Sequence, residues 1–592
     1  MEQKKKYPQY TDKMIDDVSD ILKSGRVNYW TGNKVKDFEK QYSEYFGCNY
    51  SIAVSNGSIA LELCLKAIDL KKDDEVIVTS RSFIASASSI NLCGGIPIFC
   101  DVNYFTQNIT LFDIKRNISE KTKAVILVHY NGVPCDEIYE ICNYCKSNNI
   151  FVIEDCAQCH GAKYCDKYLG TFGDISAWSF CQDKIISTGG EGGMITTDNK
   201  ELYQKVWSLK DHGKVMNENN YDITDFGSNY RMTEIQASIG INSLVLLDEW
   251  VKIRRRNTMM LNDVFSKYDF IITNKSFFYN SNKFYCSCYK YYFYIDKSYV
   301  GYKKLREIII SEFKKNGISE VFSGYRMEIY DEICYKNKKN FILNNECHNS
   351  KQIGDTCIML CCDPTYTEDI MKIFVAKIET ILDNICENSI AIVGCGGHSR
   401  VITDIAIKNG FYIIGYIGDM IFDKNYVYRN ISYLCSNYFL SGNKIFFKII
   451  IGFGDLKKRN DLINNLEDKN LKYANIIDKS AIISDTVKIG FGNVIMPNVV
   501  INSSCEIGNH CIFNTSSIIE HDCIIGDNTH FCPASVICGG IKIGNNTLFG
   551  ANSVCKNSTN NNKITIGNNV IIGCGSVVLN SICDNNTVHG VI

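Results

Sequence analysis

The chain has 592 residues, 63 basic against 65 acidic side chains, and 45% hydrophobic content. One hydrophobic core stops growing near ~250–300 residues, so two or three domains are expected. A charged fraction of 22% with 12% aromatics excludes intrinsic disorder, six prolines exclude a Pro-rich architecture, and a formal charge of −2 gives no general attraction to nucleic acid.

No apolar run follows the basic opening Met1 to Lys6, so no signal peptide is expected. The longest apolar stretch, Ile445 to Phe453, is broken by Lys448 and is too short to span a bilayer. A cytoplasmic protein without membrane or nucleic-acid partners is the reading. The 29 cysteines are scattered and read mostly as small hydrophobes. Cys156 and Cys159 lack a second pair, so no metal site is assigned to them.

From the start to about residue 385, short apolar strands alternate with amphipathic helices: Glu75–Thr79, Ile96–Asp101, Ala124–His129 and Phe151–Asp155. That order predicts an α/β fold with a mainly parallel sheet. Asn56-Gly57-Ser58 precedes a helical run, a place where free N–H groups receive an anion. Glu154-Asp155 ends a strand in acid, with Gln158 just beyond, where open α/β sheets bind ligands. Trp178 to Lys184 then leads into Gly189-Gly190-Glu191-Gly192-Gly193, setting an amine beside backbone that can pack closely. Singly, these are a surface charge, a turn and a cap. Together, lysine, carboxylate and anion-binding helix start are the parts a pyridoxal phosphate (PLP) enzyme needs.

A second strand-turn-helix unit begins at Ser389, with the junction expected near Asn384–Asn388. Gly394-Cys395-Gly396-Gly397-His398-Ser399-Arg400 reads as a phosphate-binding turn, and Gly452-Phe453-Gly454-Asp455 as a second candidate loop. From about Asn475 the period changes. Ile-Gly pairs place glycines at 490, 508, 526, 544 and 567, and the first four are 18 residues apart, or three hexapeptides. Such a repeat predicts a triangular parallel β-helix, with Asn557–Asn562 pushed out to absorb the longer last interval. Within it, His521-Asp522 is unusual for a coil wall and suits a general base. His530, nine residues on, is half a coil away and is expected on another side.

The first half resembles the DegT/DnrJ/EryC1/StrS sugar aminotransferases. The resemblance rests on Ser55 to Ser58, Ser82 to Ser86, Val128-His129, Glu154 to Gln158, Ser179-Phe180 with Lys184, Gly190 to Gly193, and Asn229 to Met232. It implies a fold-type I PLP architecture over 1–385. Lys184 would then hold the cofactor and shuttle protons, and Asp155 would pair with the pyridinium. Phe83 would stack on the ring and Gln158 would meet its oxygen side. Gly57, Ser58 and Ser179 would hold the phosphate, with Asn229 supplied by a neighbouring subunit. Some members replace the lysine by histidine and become dehydratases; lysine here favours transamination.

Residues 389–592 resemble the PglD/NeuD sugar acyltransferases. That likeness implies a small Rossmann-like domain over 389–473 and a left-handed β-helix over 474–592. Gly394, Gly396, Gly397, His398, Asp419, Gly452 and Asn514 would bind the nucleotide sugar. His521, with Asp522, would take a proton from the sugar amine, while His530 and Gly539 would meet acetyl-CoA.

One reading covers both halves: a UDP-4-keto-6-deoxyhexose accepts an amino group from glutamate, and the C4 amine is then acetylated. Asn28 to Gly32 and Phe180 to Lys184 look most like bacillosamine-type enzymes, with a viosamine-type UDP- or dTDP-sugar the runner-up. The rival reading is an aminotransferase whose β-helix is only an oligomerisation scaffold. Since the resemblance implies a dimeric first half and a trimeric second, a hexamer, a dimer of trimers, is expected.

Overall fold

The computed structural model describes residues 6–217, 220–274, 283–324, 328–418, 427–435, 444–466, 471–559 and 563–592. The chain divides into two compact units, Met1–Ile295 with Glu312–Glu379, and Asp296–Ser311 with Thr380–Ile592.

The first unit is built on a seven-stranded sheet. Its order is Tyr50–Val54, Gly193–Thr197, Ile175–Ser179, Phe151–Asp155, Thr122–Val128, Glu75–Thr79, Ile96–Cys100. All pairings are parallel except those of Gly193–Thr197, which runs against both neighbours. Helices cover both faces, which explains why Val76, Ile77 and Val78 form a continuous apolar run, all fully buried. Two strand ends differ from expectation. Asp101 leaves its strand to accept hydrogen bonds from the backbone of Asn349 and Ser350, and His129 turns into the 3₁₀ segment Tyr130–Gly132. The 32-residue helix Glu234–Phe265 opens with a reciprocal capping box between Thr233 and Gln236. A smaller antiparallel sheet, Ile271–Thr273, Tyr291–Ile295, Cys357–Leu360 and Val321–Phe322, completes the unit.

Helix Glu368–Asn388 runs directly into strand Ser389–Val393, so the segment Asn384–Asn388 expected as a short junction is the last turn of a helix. In the second unit that strand is an inner strand of a five-stranded sheet, ordered Val427–Tyr428, Ile431–Cys435, Tyr412–Ile417, Ser389–Val393, Lys448–Ile451. All but the edge hairpin at Val427–Tyr428 is parallel, giving a small Rossmann-like arrangement.

Beyond it, two-residue strands from Ile476–Ile477 to Thr587–Val588 stack into three parallel sheets, the walls of a β-helix. Partners are 18 residues apart, as in Ile512↔His530, until Lys542↔Thr565, where the step is 23. The excess falls between Val554–Cys555 and Thr565–Ile566, as the repeat arithmetic requires; residues 560–562 of the expected loop lie outside the described residues.

Corners recur every six residues with left-handed backbone at Asn498, Ser504, His510, Ser516, Asp522, Asn528 and Ala534. Most are short polar types that tolerate this conformation. The Ile-Gly glycines form a column in which no side chain fits. A Cβ on Gly508 would lie 2.9 Å from the Gly526 carbonyl carbon, and one on Gly526 2.8 Å from that of Gly544. Inside, Phe513, Phe531 and Phe549 stack at 5.0 and 5.1 Å, and Cys505, Cys511, Cys523 and Cys555 are buried as small apolar fillers. Among the described residues, no helix is long and apolar enough to cross a membrane.

Candidate active sites

A cavity of 760 Å³ opens in the first unit at the C-terminal ends of the parallel strands. On one side, helix Gly57–Ala67 begins with Asn56 as its cap, whose Oδ1 accepts from Ile59 N at 3.0 Å. The helix start lies so close to strand Ile175–Ser179 that a Cβ on Gly57 would fall 2.5 Å from Ser179 Cβ. Gly57, Ser58 and Ser179 therefore share one wall, with the unpaired N–H groups of a helix start beside two hydroxyls.

Asp155 ends its strand facing the same cavity and is 5% exposed. Ser86 Oγ donates to its Oδ2 at 2.7 Å and Ala157 N to its Oδ1 at 3.2 Å, which fixes the carboxylate plane. Behind it, Glu154 accepts from His129 at 2.8 Å and from the N–H groups of Gly170, Phe172 and Gly173 at 2.7 Å each. Burial alone would raise this carboxyl; the His129 hydrogen bond and charge, with the glycine N–H groups, hold it below its ordinary value. Gln158 is fixed by Asn131 N, which donates to its Oε1 at 2.8 Å.

Phe83 lines the cavity yet is 55% exposed, which leaves an aromatic face open. Lys184 faces the same space. Asn229 is exposed, accepts from Arg231 N at 3.5 Å, and is not on the cavity wall of its own chain.

Three cavity residues were not anticipated: Asp183, Glu191 and Tyr289. Burial would raise the Asp183 carboxyl, but the Lys184 charge and the Tyr289 hydroxyl bring it below the ordinary range. Asp183 and Glu191 lie inside motifs already singled out, but were given no role there. Tyr289 has no local signal, because the fold brings it from more than a hundred residues away.

In the second unit, the turn after Ser389–Val393 and the loop after Lys448–Ile451 meet at the ends of adjacent parallel strands, where such sheets bind ligands. Ser399 Oγ donates to the Gly452 carbonyl at 3.0 Å, and a Cβ on Gly452 would lie 2.3 Å from that oxygen. Gly394, Gly396, Gly397 and His398 form the facing turn; Gly396 and Gly397 have open space where a side chain would be. Asp419 lies outside the described residues.

His530 lies on another side of the coil from His521, as the nine-residue spacing predicts. It sits on the β-helix wall that faces this crevice, 7% exposed, its Nδ1 donating to the Gly454 carbonyl at 3.1 Å. Its ring centroid is 6.3 Å from that of His398. Burial, then the nearby Arg459 charge, brings His530 down to about 4 and His398 to about 3, so both are neutral near pH 7. His530 thus joins the glycine turns rather than Gly539, because half a coil turns a side chain to a different face.

His521 stands on the next corner with Asp522. Its Nδ1 is 2.7 Å from Asp522 Oδ2, and both side chains are more than half exposed. The Asp522 hydrogen bond raises the imidazole above its ordinary value. Gly539 lies one coil on, directly against the ring: a Cβ there would be 2.8 Å from His521 Cε1 and Nε2. Asn514, whose Oδ1 accepts from Thr515 N at 2.8 Å, occupies the preceding corner region.

The mostly parallel seven-stranded sheet with one reversed strand, carrying a lysine and a strand-end carboxylate in one cavity, is the fold-type I architecture of PLP-dependent aminotransferases. The model of the DegT/DnrJ/EryC1/StrS aminotransferase family matches residues 8–379, and that of the PglD N-terminal domain matches residues 389–466. The chain belongs to the DegT/DnrJ/EryC1/StrS aminotransferase family.

Over 260 residues it is 40% identical to the GDP-perosamine synthase of Escherichia coli O157:H7, covering 44% of this chain and 69% of that one. It is 37% identical over 235 residues to the dTDP-3-amino-3,6-dideoxy-alpha-D-galactopyranose transaminase of Aneurinibacillus thermoaerophilus, covering 40% and 63%. Among solved structures, an aminotransferase from Psychrobacter cryohalolentis is 36% identical with a TM-score of 0.60, over 64% of this chain and 99% of that one. The Helicobacter pylori aminotransferase PseC, 21% identical with a TM-score of 0.58 over 64% of this chain and 98% of that one, shares the fold.

Proposed function

We propose that the chain carries out two consecutive steps on one nucleotide sugar: transamination of a UDP-4-keto-6-deoxyhexose by glutamate, then acetylation of the new C4 amine from acetyl-CoA. The observation that carries this reading is the pairing, in one chain, of a lysine–carboxylate aminotransferase cavity with an exposed His521–Asp522 dyad on a β-helix.

The first cavity fits pyridoxal phosphate. The helix start at Gly57 and Ser58, with Ser179, would hold the phosphate. The open face of Phe83 would stack on the ring, Gln158 would face its oxygen, and the buried Asp155 would keep its nitrogen protonated. When bound, pyridoxal phosphate supplies the electron sink for amino-group exchange. Lys184 Nζ then moves the proton, and the cavity walls exclude water around it. Asn229, exposed on its own chain, would complete a neighbour's site.

In the second unit the glycine turns at Gly394 to Gly397 and Gly452, with neutral His398 and His530, form the crevice for the nucleotide diphosphate. Asp522 holds His521 Nδ1, leaving Nε2 free to take a proton from the attacking amine. Acetyl-CoA is the acyl donor. The bacillosamine-type 2-acetamido substrate is favoured by Asn28 to Gly32 and Phe180 to Lys184.

The test is a substrate panel read by mass spectrometry: UDP-4-keto sugars with and without a 2-acetamido group, and the GDP- and dTDP-linked ketosugars that the relatives' names suggest. The reading expects the UDP-2-acetamido ketosugar to gain an amine with glutamate and an acetyl group with acetyl-CoA. Turnover confined to another nucleotide sugar would refute the substrate assignment. An amine that is never acetylated would favour the scaffold reading of the β-helix.

A further inference from the structure

We propose that Tyr7, Arg254 and Tyr289 form a closed frame that positions Lys184, with Tyr7 fixing its backbone and Tyr289 its amine. The proposal rests on Lys184 acting in transamination, and it adds three positioning residues that no motif marks.

Lys184 lies in irregular chain after strand Ile175–Ser179, where no sheet ladder holds the main chain. A loop carbonyl still needs a donor. Tyr7 Oη supplies one, lying 2.7 Å from both the Lys184 and the Ile185 carbonyl oxygens, a three-centre arrangement across consecutive residues. Tyr7 is in turn held from behind. The Arg254 guanidinium lies over its ring, 5.1 Å from the centroid, and Trp250 meets the ring edge-on at 6.5 Å.

Arg254 is the costly member of this set. It is 1% exposed, in the middle of helix Glu234–Phe265, and a buried guanidinium must be compensated by partners. Its second partner closes the frame: Nη1 donates to the Tyr289 carbonyl at 3.0 Å. Tyr289 then points back at the cavity. Its hydroxyl donates to Asp183 Oδ2, and the Lys184 Nζ sits 4.9 Å from its ring centroid, within the range of a cation–aromatic contact. Four segments far apart in sequence thus meet around one lysine.

The chemical need is specific. An amine that alternates between holding a cofactor and carrying a proton must return to one place, and a displacement of about 1 Å can cost ~10²-fold in rate. Tyr7 and Arg254 line no part of the cavity, so their effect runs through Lys184; Tyr289 does line it and positions the amine by direct contact.

Two near-isosteric variants test this on the full chain loaded with PLP. Tyr7→Phe removes one hydroxyl from the frame, and Tyr289→Phe removes the Asp183 anchor while keeping the ring. Each should lower kcat about tenfold with KM for the ketosugar little changed, the pattern of a misplaced group rather than lost binding. Tyr289→Leu, which removes the ring, should cost about 10²-fold. The readout independent of turnover is the visible absorbance of the PLP-loaded protein without substrates, titrated with pH, together with the rate of borohydride trapping of PLP on Lys184. Both should shift in all three variants, and Tyr289→Phe should restore most of what Tyr289→Leu loses.

If the Phe variants match the parent chain in titration midpoint, trapping rate and kcat, the frame is overturned. It is equally overturned if kcat falls only in step with thermal stability while the midpoint stays in place, since that is the signature of fold cement. Failure of the underlying reading looks different: the parent chain itself would not transaminate, and Lys184→Ala would change nothing.

Discussion

His521 and Asp522 make a sharp prediction at the residue scale. The hydrogen bond that His521 Nδ1 donates to the Asp522 carboxylate favours the imidazolium and raises its pKa, while the proposed base is the neutral ring. Acetylation should therefore rise with pH through a midpoint above the ordinary histidine value of ~6.5. Asp522→Asn removes the charge that stabilises the imidazolium, so the midpoint should move down and the maximal rate should fall. A pH profile of kcat/KM for acetylation checks this; an unchanged midpoint would mean that Asp522 does not act on His521. Such a pair is legible in sequence because the two residues are adjacent on an apolar repeat. Lys184 and Asp155 were legible for the same reason, each beside its own glycine or strand signal. Tyr289, Tyr7 and Arg254 were not: their proximity to Lys184 exists only after a helix and two loops have folded around it. His530 shows the limit from the other side, since its distance in coils was readable but not the loop at Gly454 that covers it.

At the scale of elements, the β-helix separates two uses of glycine. Gly508 belongs to the stacked column, where a new Cβ would meet backbone of the next coil, which cannot yield. Gly539 instead faces the end of an exposed imidazole, which can. Gly508→Ala should destabilise the second unit by about 1–3 kcal/mol, the usual cost of overpacking, and leave any residual acetylation normal per folded molecule. Gly539→Ala should leave the melting temperature nearly unchanged but displace His521 and cut acetylation about 10²-fold, within the range for losing a positioned base. Thermal melts beside acetylation assays distinguish the two, and equal effects on both properties would break the argument. The repeat was readable down to its 23-residue step because stacking imposes a strict period. The Rossmann-like sheet was less so: its strands are apolar runs without period, and its turn gave only a partial glycine pattern.

For the whole molecule, the last of the chain's three crossings between the units falls inside helix Glu368–Asn388, which runs directly into strand Ser389–Val393. If the first unit pairs as a dimer through segments such as Asn229 and the β-helix associates in threes, closed symmetry is met most simply by a D₃ hexamer. Light scattering on the purified chain should give six chains per particle. A monodisperse dimer would remove the β-helix trimer, and a stable trimer would remove the shared aminotransferase site.

The proposed two-step function, an amine made at one site and acetylated at another, is best checked by mass spectrometry of the sugar nucleotide after incubation of Lys184→Ala and His521→Ala chains with ketosugar, glutamate and acetyl-CoA. His521→Ala should accumulate the 4-amino sugar, with acetylation down ~10²–10⁴-fold, the range for loss of a general base. Lys184→Ala should leave the ketosugar untouched yet acetylate supplied 4-amino sugar at the parent rate. Acetylated product from His521→Ala at the parent rate, or transamination by Lys184→Ala, would contradict the two-step function.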